Sequence, residues 1–132
     1  MGECIYHLVH TADLRTGIAD GRYTPARFAE DRFVHCTAAP EAVLAVARDY
    51  FADAAESLLV LRIAPERLSA RVAYEAAAPI PGGRSHLAAG ETFPHVYGPL
   101  ELDAITGVAA LEKRGADFVW PRRFVPLATV LA

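Results

Sequence analysis

The chain has 132 residues, 53% hydrophobic and 22% charged, with 13 Lys plus Arg against 16 Asp plus Glu for a net charge of −3. That length and composition predict one folded domain and exclude a disordered tail or linker. The acidic balance does not favour strong nonspecific nucleic-acid binding, whose affinity comes from neutralised phosphates, so RNA stays open only through a local basic patch.

Cys4 to His10 reads as a strand, with Ile5, His7 and Val9 on one face and Tyr6 and Leu8 on the other. Thr11 is placed to cap a short helix that Gly21 closes, and Thr24-Pro25 to start a second helical turn. Phe33 to Cys36 is a short apolar run that predicts a buried strand. The best helix runs from about Pro40 to Ala52, with Val43, Ala47 and Tyr50 as its apolar stripe. Ser57 to Ile63 predicts a central strand. After a turn at Pro65, Ala70 to Glu75 alternates, Val72 and Tyr74 facing one way and Arg71, Ala73 and Glu75 the other.

Ala76 to Pro94 has no period of either kind and holds Pro79, Pro81, Gly82, Gly83 and Gly90, which reads as a mobile lid or binding loop carrying Arg84 and His86. Phe93 to Leu100 follows as a rigid turn rich in Pro and Gly. Ile105 to Leu111 predicts a strand, and Phe118 to Trp120 and Arg123 to Leu131 supply the last apolar segments. The mixed order predicts an α+β fold rather than a regular doubly wound sheet.

Two cysteines, Cys4 and Cys36, are too few for a secreted disulfide scaffold. The start of the chain lacks the basic and apolar regions of a signal peptide, Tyr6 stands where a myristoylation motif requires Ser or Thr, and no apolar run reaches the roughly 18–20 residues that span a bilayer. The expectation is a cytoplasmic protein with no membrane partner; the oligomeric state is not legible.

Five histidines carry the candidate chemistry: His7, His10, His35, His86 and His95. A histidine on an apolar strand face is costly unless it finds a hydrogen-bond partner. His7 and His35 taken singly read as satisfied core residues. Together with His95 they point to a site of near-neutral imidazoles able to bind a hydroxyl, a phosphate or a metal. His95 and Tyr97 are fixed by Pro94, Gly98 and Pro99, which suits a pocket wall. Glu75, at the end of its strand, reads equally as a solvated strand end and as a group that orients a histidine or accepts from a ribose hydroxyl. Cys36 faces away from His35 and reads as a small buried hydrophobe. No CxxC, HExxH or i, i+4 histidine pair is present, so a metal site is the weaker reading.

Ile5-Tyr6-His7, Phe33-Val34-His35-Cys36-Thr37 and Phe93-Pro94-His95-Val96-Tyr97-Gly98-Pro99-Leu100 resemble, in order, the motifs of the domain-of-unknown-function 952 family, over about Cys4 to Leu111. The chain departs from that family at Arg32, where a Gly is usual, and in Ala12 to Ala19, which lacks a Trp common there. The resemblance implies an ADP-ribosyltransferase-like fold, a split and strongly bent sheet with a cleft for a nicotinamide dinucleotide (NAD). It also implies kinship with the RNA 2′-phosphotransferase branch, in which His7 and His35-Cys36-Thr37 match two site positions. On that basis the expected catalytic residues are His7, His35, Thr37 and Glu75, with His7, Thr37, Arg84, His95 and Tyr97 holding the dinucleotide. The expected function is ADP-ribosyl or phosphate transfer to a small-molecule or nucleotide acceptor. The alternatives are a non-catalytic nucleotide-binding module and a His-based metal protein.

Overall fold

A computed structural model describes residues 3–52, 58–76 and 92–132. Among the described residues, three small antiparallel sheets and a hairpin, with four helices, make the expected α+β architecture. The middle strand of the first sheet is β5 (Leu58–Ile63), flanked by β1 (Ile5–His10) and β9 (Ile105–Ala110). Five of the six β5 residues are buried, because both faces of this sheet are covered. Leu59, Leu61 and Ile63 pack into one core with Ile5, Val9, Leu14, Tyr23 and Val34. Leu58 and Val60 point the other way, onto Val43 and Ala47 of α3 (Pro40–Tyr50). Val43 and Ala47 are four apart, so they form one stripe, and Pro40 begins the helix where its missing N–H costs nothing.

The start of the chain differs from its sequence reading. Thr11 is the first residue of α1 (Thr11–Gly17) and does not cap it; His10 holds the cap position without a side-chain bond. Gly21 does not close that helix either. It sits with Asp20 in a two-residue hairpin between β2 (Ile18–Ala19) and β3 (Arg22–Tyr23), where Ala19 pairs with Arg22. Asp20 and Gly21 both have positive φ, 53° and 74°, the geometry of a type I′ turn, for which Asp-Gly is a strong signal. The second helix, α2 (Phe28–Asp31), starts three residues after Pro25, whose carbonyl accepts the Phe28 N–H. Arg32 ends it in the left-handed region at φ 68°.

The second sheet has the order β4 (Val34–His35), β7 (Thr92–Val96), β6 (Val72–Ala76). The predicted rigid turn is therefore half strand, with β7 running to Val96. Strand β7 begins at Thr92, and the lid expected before it, with Arg84 and His86, lies outside the described residues. Tyr6 and Thr37 join this sheet to β1 by reciprocal N–H···O bonds of 2.8 Å. The third sheet adds β8 (Leu100–Glu101) to β3. Near the end, β10 (Glu112–Arg114) and β11 (Asp117–Val119) form a hairpin with Gly115 at φ 62°. The chain closes with α4 (Leu127–Leu131). No helix among the described residues is long and apolar enough to cross a membrane.

Candidate functional site

Period-two alternation gives the second sheet two unlike faces. Val34, Pro94 and Val96 are buried, and Val34, Val96 and partly buried Val72 belong to the main core. The opposite face takes the intervening residues: Phe33 and His35 along β4, His95 and Tyr97 along β7, and Arg71, Ala73 and Glu75 along β6. His35 pairs with His95 and His95 with Ala73, so their side chains share that face.

The side chains meet as this register requires. The His35 and His95 ring centroids are 5.7 Å apart, edge to face. Phe33 stacks on His95 at 4.0 Å and 19°, and lies 4.6 Å from His35 and 5.5 Å from Tyr97. One oxygen of Glu75, Oε1, accepts from His95 Nδ1–H at 2.8 Å and from the Tyr97 hydroxyl at 2.5 Å. His95 is buried while Glu75 keeps 41% of its side chain exposed. The bonds from Tyr97 and His95 hold the Glu75 carboxyl below its ordinary range, so it is ionised at neutral pH. The same bond raises the Tyr97 hydroxyl, which therefore stays a donor.

His35 donates Nε2–H to Asp31 Oδ2 at 3.0 Å. Burial lowers its pKa, against the opposing pull of Asp31, so the ring is neutral and Nδ1 is an acceptor. His7 Nδ1–H donates to the His35 main-chain carbonyl at 2.6 Å. Burial pushes the His7 pKa down to about 4, which leaves a neutral ring with Nε2 as acceptor. His7 thus reaches the second sheet through its backbone, while its ring packs against Tyr23 at 5.9 Å.

The structure brings His35, His95, Tyr97 and Glu75 of the predicted site into one cluster. His7 adjoins it through a carbonyl, and Thr37 is placed beside His35 by the ladder to Tyr6 and is buried. Asp31, Phe33 and Arg71 were missed. Phe33 and Arg71 were within reach of period-two reasoning, as the i−2 neighbour of His35 and the i−4 neighbour of Glu75. Asp31 was not, because a helix end and a left-handed residue separate it from His35. Cys36 is buried and burial raises its thiol pKa, which removes it as a nucleophile. Among the described residues no three His, Cys, Asp or Glu side chains converge to hold a metal ion.

Comparison with known proteins fixes the family. The model of a family described as "protein of unknown function (DUF952)" matches residues 8–108. The chain belongs to that family. No curated protein matches. Among solved structures, the crystal structure of protein CC0527 from Caulobacter crescentus is similar at 24% identity and a TM-score of 0.68, over 98% of this chain and 99% of that one. A double mutant of CC0527, with two residues replaced by methionine, gives 23% identity and the same TM-score. The solution structure of CC0527 gives 24% identity and 0.59, over 89% and 91% of the two chains. At these identities the likeness concerns the fold alone. DUF952 membership and this fold say what the chain is similar to, and its chemistry rests on the cluster just described.

Proposed function

We propose that the polar face of β4, β7 and β6 binds a nicotinamide dinucleotide and transfers its ADP-ribosyl group to a phosphate-bearing small-molecule or nucleotide acceptor, with an ADP-ribosyltransferase-like cleft as the frame. The observation that carries the reading is the half-exposed Glu75 carboxylate, held ionised by His95 and Tyr97 at the edge of an aromatic platform. The dinucleotide supplies a ribosyl carbon bonded to a cationic ring, and that bond breaks with positive charge developing on the sugar. A fixed anion is the group that stabilises such charge, because it needs no reorganisation as the charge forms. Phe33 and Tyr97 offer flat apolar surface for a planar ring. Neutral His7 and His35 present Nε2 and Nδ1 as acceptors for ribose hydroxyls, and Thr37 adds a hydroxyl beside them. A phosphate acceptor is already nucleophilic, so the site needs no strong base. Glu75, His35 and His7 are the residues that would act on the substrate, with His95 positioning Glu75.

The test is nicotinamide release from the dinucleotide in the presence of phosphorylated acceptors. Wild type should turn over, and Glu75→Gln should lower the rate about 100-fold or more, in the range lost with one electrostatic stabiliser. Binding without release would make the chain a nucleotide-binding module, and absence of both would remove the reading.

A further inference from the structure

Most arginines of the described residues are committed to a partner. Arg22 pairs with Glu101, Arg27 with Asp31, and Arg62 binds Thr106. Arg71 is different. It is exposed and its side chain makes no hydrogen bond or salt bridge within 4.0 Å among the described residues, though its charge reaches the Glu75 carboxylate, yet it is held in place. Its main-chain carbonyl accepts the Tyr97 N–H at 2.9 Å, and its guanidinium carbon lies 4.4 Å from the centroid of the Tyr97 ring. Tyr97 is tied at its other end by the bond to Glu75. The cation–π contact holds the guanidinium without using a carboxylate or carbonyl, which leaves N–H donors with no hydrogen-bond partner among the described residues. A planar fork immobilised this way is shaped for two-point capture of an oxyanion.

The electrostatics give the face a direction. Glu75 sits at the hydroxyl end of Tyr97 and Arg71 over its ring. A ligand with a cation at one end and an anion further along matches that order. We propose, resting on the dinucleotide reading, that Arg71 is the anchor for the ligand's pyrophosphate and that Tyr97 is the residue that positions it. The ligand class is then a nucleoside diphosphate conjugate, not a neutral nucleoside.

The probe is ADP-ribose, titrated by calorimetry into wild type and into R71M, R71K and Y97L. R71M keeps the aliphatic stem and removes the charge at an exposed position, so folding is preserved, and a thermal midpoint matching wild type checks this. R71M should weaken ADP-ribose about 10- to 100-fold, the worth of charge-assisted bonds. R71K should recover only part, since an ammonium is a point charge. Y97L should approach R71M, and the double variant should be no weaker than R71M alone. Equal affinity of wild type and R71M would overturn the anchor and leave the transfer reading standing. Loss of affinity in R71M, with no nicotinamide release by wild type, would support the anchor and remove the transfer. Failure of wild type to bind ADP-ribose would overturn the anchor outright.

Discussion

His7 is neutral because burial outweighs everything else that acts on it, and the carbonyl of His35 then selects the tautomer. This has a consequence for acid stability. The native pKa of about 4 lies below the unfolded value of 6.5, so between those values the unfolded chain binds a proton that the native chain does not. Stability from this group is complete above about pH 6.5 and is lost as pH falls toward 4, by on the order of 3 kcal/mol. His35, shifted the same way, adds to the trend. His7→Gln keeps an N–H donor for the carbonyl and cannot titrate. Urea unfolding at pH 7 and pH 4.5 should show a smaller acid loss in His7→Gln than in wild type; equal losses would mean that His7 is not the group that senses acid. The residue types of this cluster are legible in sequence: histidines on apolar strands demand partners, which singles out His7 and His35, and the Pro- and Gly-fixed segment singles out His95. Their partners are not legible. In sequence Glu75 reads equally as a solvated strand end and as a site group, because only the cross-strand register, with Ala73 opposite His95, sets it diagonal to that ring.

Among the elements, α2 and its exit decide how β4 enters the site. Arg32 accepts a left-handed backbone and donates its N–H to Phe28 O at 2.7 Å, turning the chain so that Phe33 and His35 fall on the polar face. An L-residue there costs roughly 1–2 kcal/mol relative to glycine. Arg32→Gly, the residue usual in the resembled family, should therefore raise stability by about 1 kcal/mol in chemical denaturation, whereas Arg32→Ala, which retains Cβ, should not. A loss in Arg32→Gly would show that the arginine side chain contributes more than its backbone costs. Long elements are readable in sequence, α3 from its helical period and β5 and β9 as apolar segments of strand length. The two-residue strands are not, because neither a helical nor a strand period can express itself over Ile18–Ala19 or Arg22–Tyr23. The Asp20-Gly21 turn between them carries a hairpin signal in its chemistry, which competes with the reading of Gly21 as a helix end. Gly17 adds a close approach that sequence alone does not disclose: a Cβ there would lie 2.5 Å from the Thr24 carbonyl oxygen and 2.6 Å from the Tyr23 ring, the ring that flanks His7.

At the scale of the whole molecule, labour is divided between sheets. The first sheet is covered on both faces and supplies the core, while the second turns Val34, Pro94 and Val96, with partly buried Val72, toward it and carries His35, His95 and Glu75 on its other face, where Phe93 and His95 are themselves buried. Short strands suffice for the second sheet because Tyr6 and Thr37 fasten it to β1. The α+β class followed from the order of elements, but the pairing of β4 (Val34–His35) with the distant β7 (Thr92–Val96) rests on long-range contacts that no local pattern encodes. Chemical-shift perturbation of isotope-labelled protein titrated with nicotinamide adenine dinucleotide tests the assignment of function to that face most directly. The expected result is saturable shifts of the His35 and His95 rings and of amides in 33–37, 71–76 and 92–97, with β10 and β11 unmoved. A titration that leaves those residues unshifted at millimolar dinucleotide, or that moves only the β10–β11 hairpin, would contradict it.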